Sequence, residues 1–255
     1  MNTHSLLIRL SKKFPKRFAK MNHDFVGLMV GKLPEEVHKI LLVLDMDEEI
    51  LPLAREIKPD LIITHHPFIY GPKGLILALD AKKKALYDLL EKENLPVYSM
   101  HTNFDTGKDG MNDALSERLG LVDVYTPELC PMMRIGYLPN EMEVHDFARL
   151  AKERFDVDYS LLINKGNKMI KKVAIIGGGG SRNYPVAMNE GADIFISGDA
   201  SHHVRREVVR DNYNYLDMPH EIEKIFIYKM KDILLSFDDS LEIVTIDHEK
   251  VPEVI

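Results

Sequence analysis

Cysteine occurs once in this chain, as Cys130, so no internal disulfide can form and no thiolate metal site can be assembled. Any bound metal must take nitrogen and oxygen ligands. Long apolar runs are missing as well: no stretch approaches the roughly 20 residues that cross a bilayer. The opening MNTHSLLIRLSKKFPKRFAK is basic, but its apolar part is too short for a secretory signal and no small-residue cleavage site follows. It reads as a surface helix, and the expectation is a soluble, cytoplasmic protein. Positive charge falls short of negative, with a formal net charge of −7, which argues against nonspecific binding to nucleic acid. An anionic substrate would need local help from a metal or from arginines.

What is present is ordinary globular material, 45% hydrophobic and 29% charged over 255 residues, enough for one large or two small domains with a substantial core. The segment KILLVLDMDEEILPLAREIKPDLIITHH reads as apolar strand, acidic turn, amphipathic helix and second apolar strand. That order implies parallel strands. The second strand stops at Thr64, His65, His66 and Pro67, and in open α/β sheets ligands bind beyond the carboxyl ends of strands. A histidine pair there could instead merely terminate the strand.

Downstream, 80–93 is expected to be a helix with Ala85, Leu86, Leu89 and Leu90 on one face, and LPVYSM a strand ending at His101. Asn112–Leu121 is expected to be a helix capped by Gly120. Residues 125–170 shift in composition and read as a connecting segment. From Lys172 the first pattern returns: Lys39, Pro52, Ala54, Asp60 and Ile63 match Lys172, Pro185, Ala187, Asp193 and Ile196 at a constant offset of 133. The expected fold is therefore α/β, two similar halves over 1–124 and 171–255 joined by 125–170 into one compact unit, with parallel or mixed sheets facing a shared dinuclear metal site.

Of the eleven histidines, six (His65, His66, His101, His202, His203 and His220) lie in four strand-end segments. Imidazole and carboxylate without thiolate suit zinc, iron, manganese, cobalt or nickel and disfavour calcium. So many donors exceed the needs of one tetrahedral ion, which favours two ions about 3.5–4 Å apart. Asp105 and Glu223 are the candidate bridging carboxylates, with Asp217 and Glu221 competing. His220 and Glu223 share a face if they lie on a helix, whereas a solvated helix glutamate is the plainer reading. GGGGSRN, Gly177–Asn183, should open a helix and could hold a phosphate, although a tight turn alone needs glycine there. It lacks the Lys-Ser/Thr of a P-loop. Thr64, Ser99 and Thr102 stand beside histidines without a G-x-S-x-G elbow, so covalent catalysis is the poorer account.

FVGLMVG, VLDMDEEI, DLIITHHPFIY, VYSMHTNFDTGKDGMNDALSERLGL, GADIFISGDASHH and LDMPHEIE together resemble the GTP cyclohydrolase I type 2 homologs, also called Nif-three-like proteins, in the short form without a central inserted domain. The resemblance implies two α/β halves, a toroidal homohexamer and two divalent metal ions per subunit facing an inner cavity. It places metal ligands at His65, His66, Asp105, His220 and Glu223. Members of the family usually carry that glutamate four residues after the histidine, where this chain has Lys224. His101 resembles a near-site residue suited to orienting a ligand or moving a proton, and His203 one that lines the cavity. The family name implies hydrolytic opening of the GTP purine ring. The resulting expectation is a metal-dependent hydrolase in which His101 or His203 shuttles the proton, acting on GTP, a related nucleotide or a phosphoester. The rival expectation is a non-enzymatic metal-binding ring that stores or senses metal or serves as an adaptor.

Overall fold

A computed structural model describes residues 1–21, 23–249 and 252 of the chain. The chain divides into two compact units, Met1–Lys108 with Phe226–Glu249, and a second built on Asp109–Ile225. The cut thus falls near residue 108 rather than 124, and the last helix and strand belong to the first unit. No helix among the described residues is long and apolar enough to cross a membrane.

The first unit begins with α1 (Thr3–Lys13), α2 (Arg17–Met21), β1 (Gly27–Val30), β2 (Lys39–Val43), α3 (Ile50–Ile57) and β3 (Leu61–Thr64). It continues through α4 (Lys73–Leu79), α5 (Ala81–Glu93), β4 (Val97–Ser99) and α6 (Thr102–Thr106). In the second unit, α7 (Met111–Leu119), β5 (Val122–Tyr125), β6 (Arg134–Glu143), α8 (Val144–Phe155), β7 (Leu161–Ile163) and β8 (Met169–Ile175) come first. Then follow α9 (Tyr184–Asn189), β9 (Ile194–Ser197), α10 (His202–Arg210) and β10 (Tyr215–Asp217). The chain closes with α11 (Ile225–Phe237) and β11 (Glu242–Thr245).

The first sheet has the order β1-β4-β3-β2-β11 and is parallel except where β1 pairs with β4. Its central strands are apolar on both faces, with Ile40–Val43 and Leu61–Ile63 fully buried, as strands covered on both sides must be. The buried side chains of α3 are Ile50, Leu51 and Ala54, which pack on Leu41, Val43 and Ile62. On α5 the buried stripe is Leu86, Tyr87 and Leu90, while Ala85 and Leu89 are exposed. The expected face is rotated because Tyr87 turns inward, where its hydroxyl accepts from Lys73 and donates to Glu91.

The second sheet has the order β5-β6-β8-β9-β10-β7. Only β8, β9 and β10 run parallel, with antiparallel strands on either side. The 125–170 stretch therefore supplies β6, α8 and β7 to this unit rather than standing apart.

The internal repeat has a structural reason. The Asp60 carboxylate accepts the backbone N–H groups of His38 and Lys39, both at 2.8 Å. Asp193 accepts those of Lys171 and Lys172 at 2.9 and 2.8 Å. In each unit the lysine ammonium then reaches a carbonyl at the end of the following helix, Ile57 or Glu190. The repeated aspartate, just before one strand, braces it against its parallel neighbour. Ala54 and Ala187 are equally buried where each helix lies on its sheet.

Candidate metal centre

β3 ends at Thr64 because the backbone N–H groups of His65 and His66 both turn to the Leu44 carbonyl, at 3.1 and 3.0 Å. The imidazoles that follow are held individually. His65 is fully buried and its Nδ1 donates to the Met100 carbonyl at 2.9 Å. The His66 Nδ1 is 2.7 Å from an Asp45 carboxylate oxygen. The His101 Nδ1 is 2.8 Å from Asp24, which also accepts the Thr102 hydroxyl at 2.7 Å. These three histidines offer ligand atoms that all lie within 4.8 Å of one another. α6 starts just after His101 and carries Asp105, whose Oδ1 stands 3.5 Å from His65 Nε2. The rings of Phe104 and Phe226 pack against His65, forming an apolar wall that strengthens local electrostatics.

Burial acts to raise the pKa of Asp24, but its hydrogen bonds with His101 and Thr102 and the His101 charge outweigh it, holding the carboxyl below its usual range. Burial likewise acts upward on Asp45, and His66, through hydrogen bond and charge, prevails with help from His65 and His248. Both carboxylates are therefore acceptors, which puts the proton of His66 and His101 on Nδ1. For His65 a carbonyl partner leaves no alternative. The lone pair of each ring is then on Nε2, placed to meet a metal at His65 and His66 and to take a proton at His101, with an acceptor behind each ring to orient it.

In the second unit the ligand pair is local. After β10, Met218 and Pro219 lead into a 3-10 turn over His220–Lys224. His220 Nδ1 contacts Asp199 at 2.6 Å, and its Nε2 lies 3.0 Å from Glu223 Oε2. Glu223 is 3% exposed, unlike a solvated helix glutamate. The glycine run explains itself here. Gly178 has φ +59°, and a Cβ on it would lie 2.3 Å from Glu223 Oε1 and 3.0 Å from His220 Nε2, so only glycine lets the backbone approach this pair. The run then passes through a 3-10 turn, Ser181–Asn183, into the six-residue α9.

The donor set suits a divalent cation. In each unit an imidazole Nε2 whose Nδ1 is engaged faces a carboxylate oxygen, at 3.5 Å in one case and 3.0 Å in the other. Two ligands on one ion with bonds of about 2.0–2.2 Å stand about 3.0–3.4 Å apart at octahedral or tetrahedral angles. With the imidazole proton on Nδ1, a cation between Nε2 and the carboxylate oxygen would hold such a pair together.

Other sequence candidates take different parts. Asp217 is bound by Arg205 at 2.6 Å, and burial pushes its carboxyl upward. Glu221 is only partly buried. His203 stands with His202 on the exposed side of α10, beside a cavity that Arg206, Glu207 and Arg210 also line. The hydroxyls of Thr64 and Ser99 bond each other at 2.7 Å and both reach the His66 carbonyl. With Thr102 on Asp24, all three hydroxyls serve to position histidines. Of the histidines set aside as satisfied, His248 contacts Asp47 at 3.2 Å. The roles of Asp24, Asp45 and Asp199 behind the imidazoles escaped the sequence. Asp45 and Asp199 do follow strand ends, whereas Asp24 carries no local signal.

The chain is 31% identical over 247 residues to a Lactococcus lactis protein named GTP cyclohydrolase 1 type 2 homolog, covering 95% of each. It is 34% identical to a Clostridium perfringens protein of the same name, over 79% of each. Among solved structures, a Bacillus cereus protein related to NIF3 superposes with a TM-score of 0.88 at 22% identity, over 100% of this chain and 99% of that one. A Staphylococcus aureus protein does so with a TM-score of 0.90 at 23% identity, with the same coverage. These two likenesses concern the fold. The profile of the Duf34/NIF3 (NGG1p interacting factor 3) family matches residues 1–252, and the chain belongs to that family.

Proposed function

We propose that this protein is a metal-dependent hydrolase with two divalent ions per subunit, held by His65, His66, Asp105, His220 and Glu223. The observation that carries the reading is the pair of imidazole–carboxylate contacts, His65 with Asp105 and His220 with Glu223. The names of the relatives point to hydrolytic opening of the purine ring of GTP. Divalent ions held by these residues would supply Lewis-acid activation of water for attack on C8.

The residues of the chain do the rest. Asp24 fixes the Nδ1 proton of His101, leaving Nε2 as the base that takes a proton from the attacking water and returns it to the leaving nitrogen. Thr64 and Ser99 hold the His66 carbonyl, and the Phe104 and Phe226 rings exclude water from the face of His65. The assembly we propose is a homohexamer, checked by light scattering on the eluted protein.

The deciding experiment is to load the protein with zinc, manganese, iron, cobalt or nickel, verify the content by elemental analysis, and follow formate release from GTP. Formate release that disappears in the His65→Ala/His66→Ala variant supports the hydrolase. No formate with any verified metal overturns it in favour of a metal-binding ring protein.

A further inference from the structure

A cavity of about 310 Å³ in the first unit is lined by Lys16, Lys20, Asp24, Phe25, Leu28 and Lys73, among others. We infer that this cavity seats an organic phosphate carrying a flat ring, with Lys16, Lys20 and Lys73 around the phosphate and Phe25 and Tyr70 against the ring.

The charge distribution is the first reason. In a chain of net charge −7, three lysines line one hollow, Lys16 and Lys20 one turn apart at α2 and Lys73 on α4. Neither Lys16 nor Lys20 has a carboxylate partner among the described residues. The acid in the wall, Asp24, has a side chain only 1% exposed, and its oxygens are taken by His101, Thr102 and the Phe25 N–H. Its lone pairs are thus engaged away from the cavity, and its single negative charge is outnumbered by the three lysines. Lys73 is braced by the Tyr87 hydroxyl and lies 4.1 Å from the centre of that ring, and an ammonium has further donors.

The position of Lys16 also depends on its surroundings. Its ammonium lies 5.4 Å from the centre of the Tyr98 ring, and it occupies space that exists because residue 27 is glycine. A Cβ there would be 2.8 Å from Lys16 Nζ, at φ +107°.

The apolar surfaces are the second reason. Phe25 and Tyr70 are 38% and 56% exposed, with ring centres 5.8 Å apart and nearly perpendicular. Exposed aromatic surface beside fixed cations suits a ligand that is both flat and anionic. Tyr70 in turn is 6.3 Å from the His101 ring. An aromatic path therefore leads from the cavity to the histidine whose far nitrogen is held by the cavity wall itself, through Asp24. A ring lying on Phe25 and Tyr70 would present its far edge to His101. That last step rests on the proposed role of His101, whereas the binding does not.

The test measures binding by calorimetry to the metal-free full-length protein, so that it stands apart from turnover. GMP and phenyl phosphate are compared with inorganic phosphate and with guanosine. Both ring-bearing phosphates should bind at least tenfold more tightly than either fragment, and the Lys16→Gln/Lys20→Gln variant should lose at least tenfold for them. These two lysines are exposed, so the melting temperature should be unchanged. The His65→Ala/His66→Ala variant should keep the affinity, which separates failure of this site from failure of the metal assignment. Equal affinity in the lysine variant, or no binding of either ring-bearing phosphate to the unaltered protein, overturns the inference. Binding of inorganic phosphate as tight as that of GMP also overturns it, because the ring would then contribute nothing.

Discussion

His220 and Glu223 stand one 3-10 turn apart, with Nε2 and Oε2 separated by 3.0 Å. In a 3-10 turn side chains at i and i+3 eclipse, whereas in an α-helix i+3 and i+4 share the neighbouring position. The spacing of three in this chain is therefore matched by the tighter pitch of the segment. Lys224, one residue further on, instead reaches the Asp156 carboxylate and carbonyl.

Moving the carboxylate should accordingly fail. Glu223→Ala is expected to lower metal affinity at least tenfold, and the double variant Glu223→Ala/Lys224→Glu should not recover it. Equilibrium dialysis with elemental analysis measures both. Recovery in the double variant would show that the turn is not held at its 3-10 pitch.

Gly178→Ala should cost about 1–3 kcal/mol, the usual penalty for backbone held in a sparsely populated region, increased by the collision of the new methyl with Glu223. Denaturant unfolding gives the stability, and metal content should fall with it. A variant as stable as the unaltered protein and fully metal-loaded would mean the glycine is not needed for close approach.

Asp24→Asn should leave metal content unchanged while lowering kcat, because the amide can present its NH2 to Nδ1 and draw the proton to the other imidazole nitrogen. KM should move less than kcat if Asp24 acts through His101. An unaltered kcat would remove His101 from the proton path.

The alkaline limb of stability should report Tyr184. Burial, and then the hydrogen bond to Asp211, pushes its phenol up to about 12. The folded-state pKa lies above the unfolded value near 10, so this contribution is complete below pH 10 and is lost as pH rises from 10 through 12. Burial raises Tyr213, Tyr215 and Cys130 in the same direction. Melting temperatures from pH 8 to 12 should fall less steeply for Tyr184→Phe than for the unaltered protein. Parallel curves would show that Tyr184 does not contribute.

The sequence was most legible where the signal is local. Apolar runs of strand length, the repeat at offset 133 and the histidines after β3 all depend on neighbours along the chain, and the α-helix over 111–119 ends at Gly120 with φ +76° as the cap residue suggests. The C-terminal strand was harder to place. β11 pairs in parallel with β2 across some two hundred residues, and nothing in its own four residues names that partner.

By itself the sequence determined that any metal is bound through imidazole and carboxylate, since one cysteine cannot contribute a thiolate cluster, and that those donors follow strands. Only tertiary structure decided which carboxylate stands behind each imidazole: Asp24 meets His101 from 77 residues away. It also decided that Glu223 rather than Lys224 faces His220, because the pitch of a short turn is set by what packs around it. Periodicity records which side chains leave water, whereas pairing between distant polar groups is chosen by the shape of the packed core.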